Sequence, residues 1–121
     1  MITEDYVSFE VAKLLKEKGF DEKCSQWYVA NEPQEGLVVG GFGENQFYIN
    51  APTHQMAMKW LREIYDIFIV IRRGLTGTGW VYSHEIYKDS KCWYARYGAS
   101  YDTYEEAIEA AIKYCLENLI Q

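Results

Sequence analysis

Arginine and aromatic side chains are the residues of this sequence whose types could together form a binding site. Arg72, Arg73 and Arg96 lie in segments that also contain Trp80 and Tyr94. A guanidinium group beside an aromatic ring can hold a phosphate while the ring stacks on a nucleobase. The same residue types are enriched at the energetic centres of protein interfaces. These five residues are the predicted site for a ligand or partner; alternatively, they complete a tyrosine-rich core and its rim.

Histidine and cysteine residues form no catalytic or metal-binding motif in the sequence. Cys24, Cys92 and Cys115 are far apart, and no Cys-x-x-Cys spacing or Cys/His cluster accompanies them. We therefore predict three reduced thiols, no metal site, no cofactor and no catalytic residue. His54 is expected to be a solvated residue in a first helical turn, and His84 a buried neutral histidine.

A glycine-rich stretch, GLVVGGFGEN, departs from the known phosphate-binding loops. Gly41 and Gly43 begin a G-x-G pattern, but Gln46 stands where the dinucleotide-binding fingerprint needs its third glycine. The pattern of a nucleoside triphosphate-binding loop is also missing. We predict a flexible turn or bulge between short strands at this point.

Composition and charge exclude several classes of protein. The 121 residues suit one domain, 1–121, and 49% hydrophobic with 25% charged residues is typical of a globular protein. Twelve Lys and Arg residues against 18 Asp and Glu residues give a net charge of -6, which disfavours general nucleic-acid binding. No apolar run approaches the roughly 20 residues of a membrane span, and the start resembles no signal peptide. We expect a cytoplasmic protein.

Three amphipathic segments predict helices over about residues 8–18, 53–65 and 103–119. Ser8, Thr53 and Thr103 are the predicted N-caps, because their hydroxyl oxygens can accept a bond from a free N–H of the first turn. Gly19 is expected to end the first helix in the left-handed conformation. The carboxylates of the third helix are expected to form a solvated face.

Strand-like runs fill the intervals between the helices. The runs at 67–72, 80–87 and 92–97 are rich in aromatic and β-branched residues, and the first is apolar on both faces, which predicts a central strand. Residues 21–52 predict irregular β structure with short strands at QWYVA, LVV and FYIN. The expected fold is α+β, with three helices packed on a small antiparallel sheet in the order α-β-α-β-β-β-α.

Closing the two hairpins at the centres of their predicted turns sorts the side chains of the sheet. Ile71 then faces Tyr82 and Ile86 faces Trp93, and alternation places His84 on the face that the second and third helices cover. The opposite face is mixed in character, so we expect it to need a covering element or a partner. It carries Phe68, Val70, Arg72, Val81, Ser83, Glu85, Tyr87, Cys92, Tyr94 and Arg96.

Three stretches of the sequence carry a resemblance to known families: EDYVSFEVAKLLKEKGF, APTHQMAMKWLREIYDIFIVI and YDTYEEAIEAAIKYCLENLI. Together they resemble a family of small uncharacterised proteins from Bacteroides and their phages and prophages. The layout from the second helix through the third is similar to the phage ABA sandwich domain, in which helices sandwich a small antiparallel sheet. The resemblance implies an accessory protein of a mobile element, and it supplies no catalytic motif.

Three functional hypotheses follow. The leading one is a non-catalytic binding or interaction protein of phage or prophage type, which binds a protein partner or forms a homo-oligomer such as a dimer. The alternative is a protein that sequesters a small nucleotide-like ligand in an arginine and aromatic pocket. The third is a small hydrolase-type enzyme, which would need a cleft that brings His54 or His84 to a carboxylate or a thiol.

Overall fold

The structure is a computed structural model that describes residues 2–29, 38–39 and 48–120, without the side chains of residues 38–39 and 94–100. The described residues form three helices and six strands in the expected α+β order. The helices are α1 (Phe9–Glu17), α2 (His54–Tyr65) and α3 (Tyr104–Asn118). The strands are β1 (Gln26–Val29), β2 (Val38–Val39), β3 (Tyr48–Asn50), β4 (Ile67–Thr76), β5 (Gly79–Lys88) and β6 (Lys91–Tyr101).

The three predicted helix starts are confirmed by their caps. The side-chain oxygens of Ser8, Thr53 and Thr103 each accept a hydrogen bond from the backbone N–H three residues later. At the end of α1, Gly19 has a φ of 96°, and the N–H of Phe20 donates to the carbonyl of Leu15 at 2.9 Å. This is the glycine-terminated helix end that the sequence predicts.

The strands form two antiparallel sheets, with the orders β2-β1-β3 and β4-β5-β6. The short strands of the first sheet fall within the segments predicted for residues 21–52. The glycines at positions 36, 40, 41 and 43 lie outside the described residues, and so does the turn or bulge predicted there. In the second sheet the central strand is β5, so the prediction that 67–72 is the central strand is corrected. The apolar side chains of this run are buried on one face only, because Ile67 is buried whereas Phe68 and Val70 are exposed.

The register between β4 and β5 differs from the prediction by two residues. Ile71 pairs with His84 and Arg72 with Ser83, because the turn contains only Gly77 and Thr78 and is centred one residue later than expected. A shift of two residues leaves every side chain on its predicted face. His84 is accordingly buried on the helix-covered face, as predicted.

The register between β5 and β6 differs from the prediction by one residue at Ile86 and His84. Ile86 pairs with Tyr94 rather than Trp93, and His84 pairs with Arg96 rather than Ala95. The cause is a register shift between Ile86 and Tyr87, which adds a residue to β6. A second register shift lies between Tyr82 and His84, and Tyr82 pairs with Tyr101.

One hydrophobic core joins the helices to the β4–β6 sheet. Helices α2 and α3 pack on the face that carries Ile67, Ile69 and Ile86. Helix α1 packs on α3 and on β3, which connects the smaller sheet to the same core. None of the helices that the described residues form is long and apolar enough to cross a membrane.

The three cysteines should differ sharply in reactivity. Burial raises the pKa of the Cys115 thiol to about 12, and burial together with the nearby Glu22 carboxylate raises the pKa of Cys24 to about 11. Cys92 is exposed. Since the thiolate is the reactive form, we expect a disulfide reagent at pH 8 to label one thiol quickly in the native protein and three after denaturation. Cys92→Ser should remove the fast phase, and fast labelling of a second thiol would contradict the burial of the other two cysteines.

Candidate functional site

The five residues predicted as a site are divided by the sheet. Arg73 and Trp80 lie on the face that the helices cover, whereas Arg72 points to the opposite side, because neighbouring residues of a strand alternate. Tyr94 and Arg96 lie on β6, paired with Ile86 and His84, and their side chains are outside the described part of the structure. The structure thus brings together Arg73 and Trp80 of the predicted set.

The end of the β4–β5 hairpin extends beyond the helices. Along β4 the inward side chains pass from buried at Ile67 to half-buried at Ile71 and exposed at Arg73 and Leu75. Leu75 is 69% exposed, and its cross-strand partner Trp80 is 53% exposed. We call the following group the hairpin-end surface: Arg73, Leu75, Trp80, Tyr82 and Tyr104.

Three ring contacts join the side chains of Arg73, Trp80, Tyr82 and Tyr104 within the hairpin-end surface. The guanidinium carbon of Arg73 lies 4.3 Å from the ring centroid of Trp80 and 5.8 Å from that of Tyr82. Tyr104, in the first turn of α3, packs edge-on against Tyr82 with 6.4 Å between the ring centroids. Arg73 makes no ion pair with another described residue. The hairpin-end surface is therefore largely apolar and aromatic, and it carries the positive charge of Arg73.

The side of the β4–β6 sheet that faces away from α2 and α3 holds a buried carboxylate. We call it the open face, because Phe68 and Val70 of β4 are exposed there. Glu85 on β5 has a side chain that is 1% exposed, and it is paired with the guanidinium Nε of Arg72 and with the hydroxyl group of Tyr87. Beside this group, Phe68 is 46% exposed and Val70 is 40% exposed. Arg72 therefore balances a buried charge, which is a structural role that its sequence position did not suggest.

Removing the guanidinium group of Arg72 should destabilise the protein more than removing that of its neighbour. Arg72→Met leaves the buried Glu85 carboxylate with Tyr87 alone, and we expect a loss of about 2 kcal/mol in the free energy of unfolding. Arg73→Met loses only an exposed cation–π contact, worth about 0.5–1 kcal/mol. Urea denaturation of both variants measures the difference.

A second substitution separates charge balance from packing. In the Arg72→Met background, Glu85→Gln removes the unpaired charge while keeping the shape of the side chain. We expect this change to restore part of the lost stability. A double variant that is less stable than Arg72→Met would contradict the proposed role of Arg72.

His54 and Glu109 form a second cluster that joins α2 to α3. The imidazole Nε2 lies 3.4 Å from a carboxylate oxygen of Glu109, and both oxygens of this carboxylate accept from the backbone N–H of Ser8, at 2.9 and 3.2 Å. The hydroxyl group of Tyr28 donates to the carbonyl of Val7 at 2.8 Å. Its pKa is raised mainly by burial and further by the negative charge of Glu109. Glu109 thus joins the N-terminal end of α1 to α3.

The His54–Glu109 cluster corrects two sequence predictions. His54 is buried rather than solvated, and Glu109 turns inward from a helix face that is predicted to be solvated. The pair lies 55 residues apart, so no local pattern could have revealed it. The same holds for Glu85 and Arg72, which meet only once the strand register is known.

The chemistry available to His54 is limited by its surroundings. The ring borders a cavity of about 190 Å³ whose other walls include Glu4, Asp5 and Tyr104. Neither ring nitrogen has a hydrogen-bond partner within the described residues, so no hydroxyl or thiol group stands ready as a nucleophile there. No group of three or more potential metal ligands occurs in the described residues.

Comparison with known proteins identifies no relative. No protein-family model matches the sequence, and no curated protein or solved structure shows significant similarity to it. The function of this chain must therefore be inferred from its own residues.

Proposed function

We propose that the protein is a non-catalytic interaction module that binds a partner protein through the hairpin-end surface. The observation that carries this proposal is the exposure of Leu75 and Trp80 beside an arginine that is held in place by the Trp80 ring. Tryptophan, tyrosine and arginine are the residue types that dominate binding energy at protein interfaces. Side chains that already contact one another in the free protein lose less conformational entropy on binding than isolated ones.

The chemistry of the surface defines its partner. Arg73 provides a positive charge, and the aromatic rings and Leu75 provide apolar area around it. The partner should therefore present a carboxylate group beside one or more apolar side chains. The chain as a whole carries a net charge of -6 and would repel an acidic partner segment. The positive charge of Arg73 would attract that segment and direct it to the hairpin-end surface.

The two alternative functions receive less support from the geometry. A pocket for a nucleotide-like ligand would use at least two of Arg72, Arg73 and Arg96. Arg72 and Arg73 lie on opposite faces of the sheet, and the side chain of Arg96 is outside the described part of the structure. A hydrolase-type function is favoured by the contact between His54 and Glu109 beside a cavity. We rank a hydrolase-type function below the interaction module, because no nucleophile lies next to His54 among the described residues.

The cellular setting is part of the same proposal. The resemblance to small proteins of Bacteroides phages and prophages suggests an accessory protein of a mobile element that acts in the host cytoplasm. The acidic charge and the chemistry of the hairpin-end surface suggest a protein target rather than DNA, RNA or a membrane.

A differential capture experiment tests the proposal. The protein and a variant with Leu75→Ser and Trp80→Ser are used in parallel to isolate binding proteins from the native host. A variant with Met56→Ser and Ile64→Ser serves as the control, because it removes comparable exposed apolar area from α2. The proposal expects a partner that is lost with the hairpin variant and retained with the control. Equal capture by all three proteins would overturn it.

A further inference from the structure

Strand β4 lies at the edge of its sheet, and no described residue pairs with its outer side. It forms ten consecutive antiparallel pairs with β5, from Ile67 opposite Lys88 to Thr76 opposite Gly79. Among the described residues, no other backbone hydrogen bond involves β4. Every second residue of β4 therefore directs its N–H and C=O groups away from the sheet, and such a row of groups is a template for another strand.

The two edges of this sheet differ in how they are protected. Strand β6 has two register shifts relative to β5, and irregularities of this kind prevent a further strand from pairing. Strand β4 has no register shift, no proline and no lysine. Its two arginines lie in its second half, where Arg72 is paired with Glu85 and Arg73 lies over the Trp80 ring. The first half of β4, from Ile67 to Ile71, therefore lacks the charges, prolines and bulges that normally protect an edge strand.

We propose that β4 of a second copy of this chain pairs antiparallel with β4, so that two molecules share a continuous six-stranded sheet. The strand is suited to itself, because both of its faces are apolar near its start: Ile69 and Ile71 on the helix-covered face, Phe68 and Val70 on the open face. A two-fold axis perpendicular to the sheet keeps each face on its own side. Residues that face each other across two strands point to the same side of a sheet. The axis must therefore lie between the two copies of one residue, so that this residue faces itself.

Side-chain complementarity and the length of the overlap together select Val70 as the residue on the axis. An axis at Ile69 would also oppose apolar residues, but it would pair the strands over residues 67–71 only. Ile69 then faces Ile71 of the other copy, and Phe68 faces Arg72, which pairs apolar with apolar and a ring with a guanidinium group. An axis at Arg72 would oppose two like charges. An axis at Ile71 would place Phe68 opposite Gly74, where it has no side chain to contact.

This pairing is independent of the proposed partner-binding function. With the axis at Val70 the two strands overlap over residues 67–73, and Leu75 and Trp80 lie beyond the overlap. The dimer would present two hairpin-end surfaces at opposite ends of the shared edge. Either proposal can fail while the other stands.

Cysteine cross-linking tests the register directly. A residue on the axis faces its own copy with about 4.5–5.5 Å between the Cα atoms, which is within disulfide range. In a Cys92→Ser background, Val70→Cys should form a disulfide-linked dimer under mild oxidation, whereas Leu75→Cys, at a more exposed position, should not. Equal cross-linking at both positions, or none at position 70, would overturn the proposed pairing.

Sedimentation measures the same pairing without a cross-link. The wild-type protein should reach twice the 14.2 kDa chain mass as its concentration rises. Val70→Lys places two like charges face to face on the axis and should sediment as a folded monomer, with Leu75→Lys remaining dimeric. A wild-type monomer at all concentrations, or a Val70→Lys dimer, would refute the pairing.

Discussion

Truncation of Ile112 to alanine should lower the free energy of unfolding by about 2–5 kcal/mol, a larger loss than any substitution on the surface of the protein should cause. Ile112 is fully buried in α3, which packs on both β4 and β5. Alanine would remove three carbon atoms and leave a cavity that the surrounding close-packed side chains fill only in part. Urea denaturation followed by circular dichroism measures the loss.

A matched control separates core packing from helix propensity. Ile64 is the same residue type in α2, and it is 60% exposed. Ile64→Ala should change the free energy of unfolding by no more than about 0.5 kcal/mol. Similar losses at positions 64 and 112 would show that α3 is not buried against the sheet.

Replacing Trp80 by alanine should weaken partner binding by about 30-fold or more, equivalent to about 2 kcal/mol. The side chain forms the centre of the hairpin-end surface, and its loss also releases Arg73 from its position over the ring. Folding should be little affected, because Trp80 is half exposed and lies beyond the helices. Calorimetric titration with the captured partner gives the affinity.

Trp93 provides the control for this prediction. It is 52% exposed, nearly the same as Trp80, and lies on β6 next to the β5–β6 turn. Trp93→Ala should leave the affinity within about twofold of that of the wild-type protein. Equal losses for the two variants would mean that exposed aromatic area in general, and not the hairpin-end surface, binds the partner.

Local chemistry explains why much of the fold could be predicted from the sequence. The caps at Ser8, Thr53 and Thr103 and the glycine after α1 act through hydrogen bonds to residues nearby in the chain, so their patterns are readable directly. The predicted face of His84 is correct although its predicted strand partner is not. A two-residue error in register preserves side-chain alternation.

Contacts between distant segments explain what could not be predicted. The added residue in β6 has no clear local signal, and it changes the residues of β6 that pair with Ile86 and His84. The apolar run of β4 is compatible with a central strand and with an unprotected edge, and only the sheet order separates the two. The Arg72–Glu85 and His54–Glu109 contacts likewise depend on tertiary structure. The predicted arginine cluster is divided for the same reason.

Site-specific photo-cross-linking tests the partner-binding proposal most directly. A photoreactive phenylalanine analogue is placed at position 80 in one protein and at position 93 in another, and both are irradiated in host cells. We expect a discrete adduct with a single partner protein from position 80 and no such adduct from position 93. The same adducts from both positions, or none from position 80, would contradict the proposal that the hairpin-end surface is the binding site.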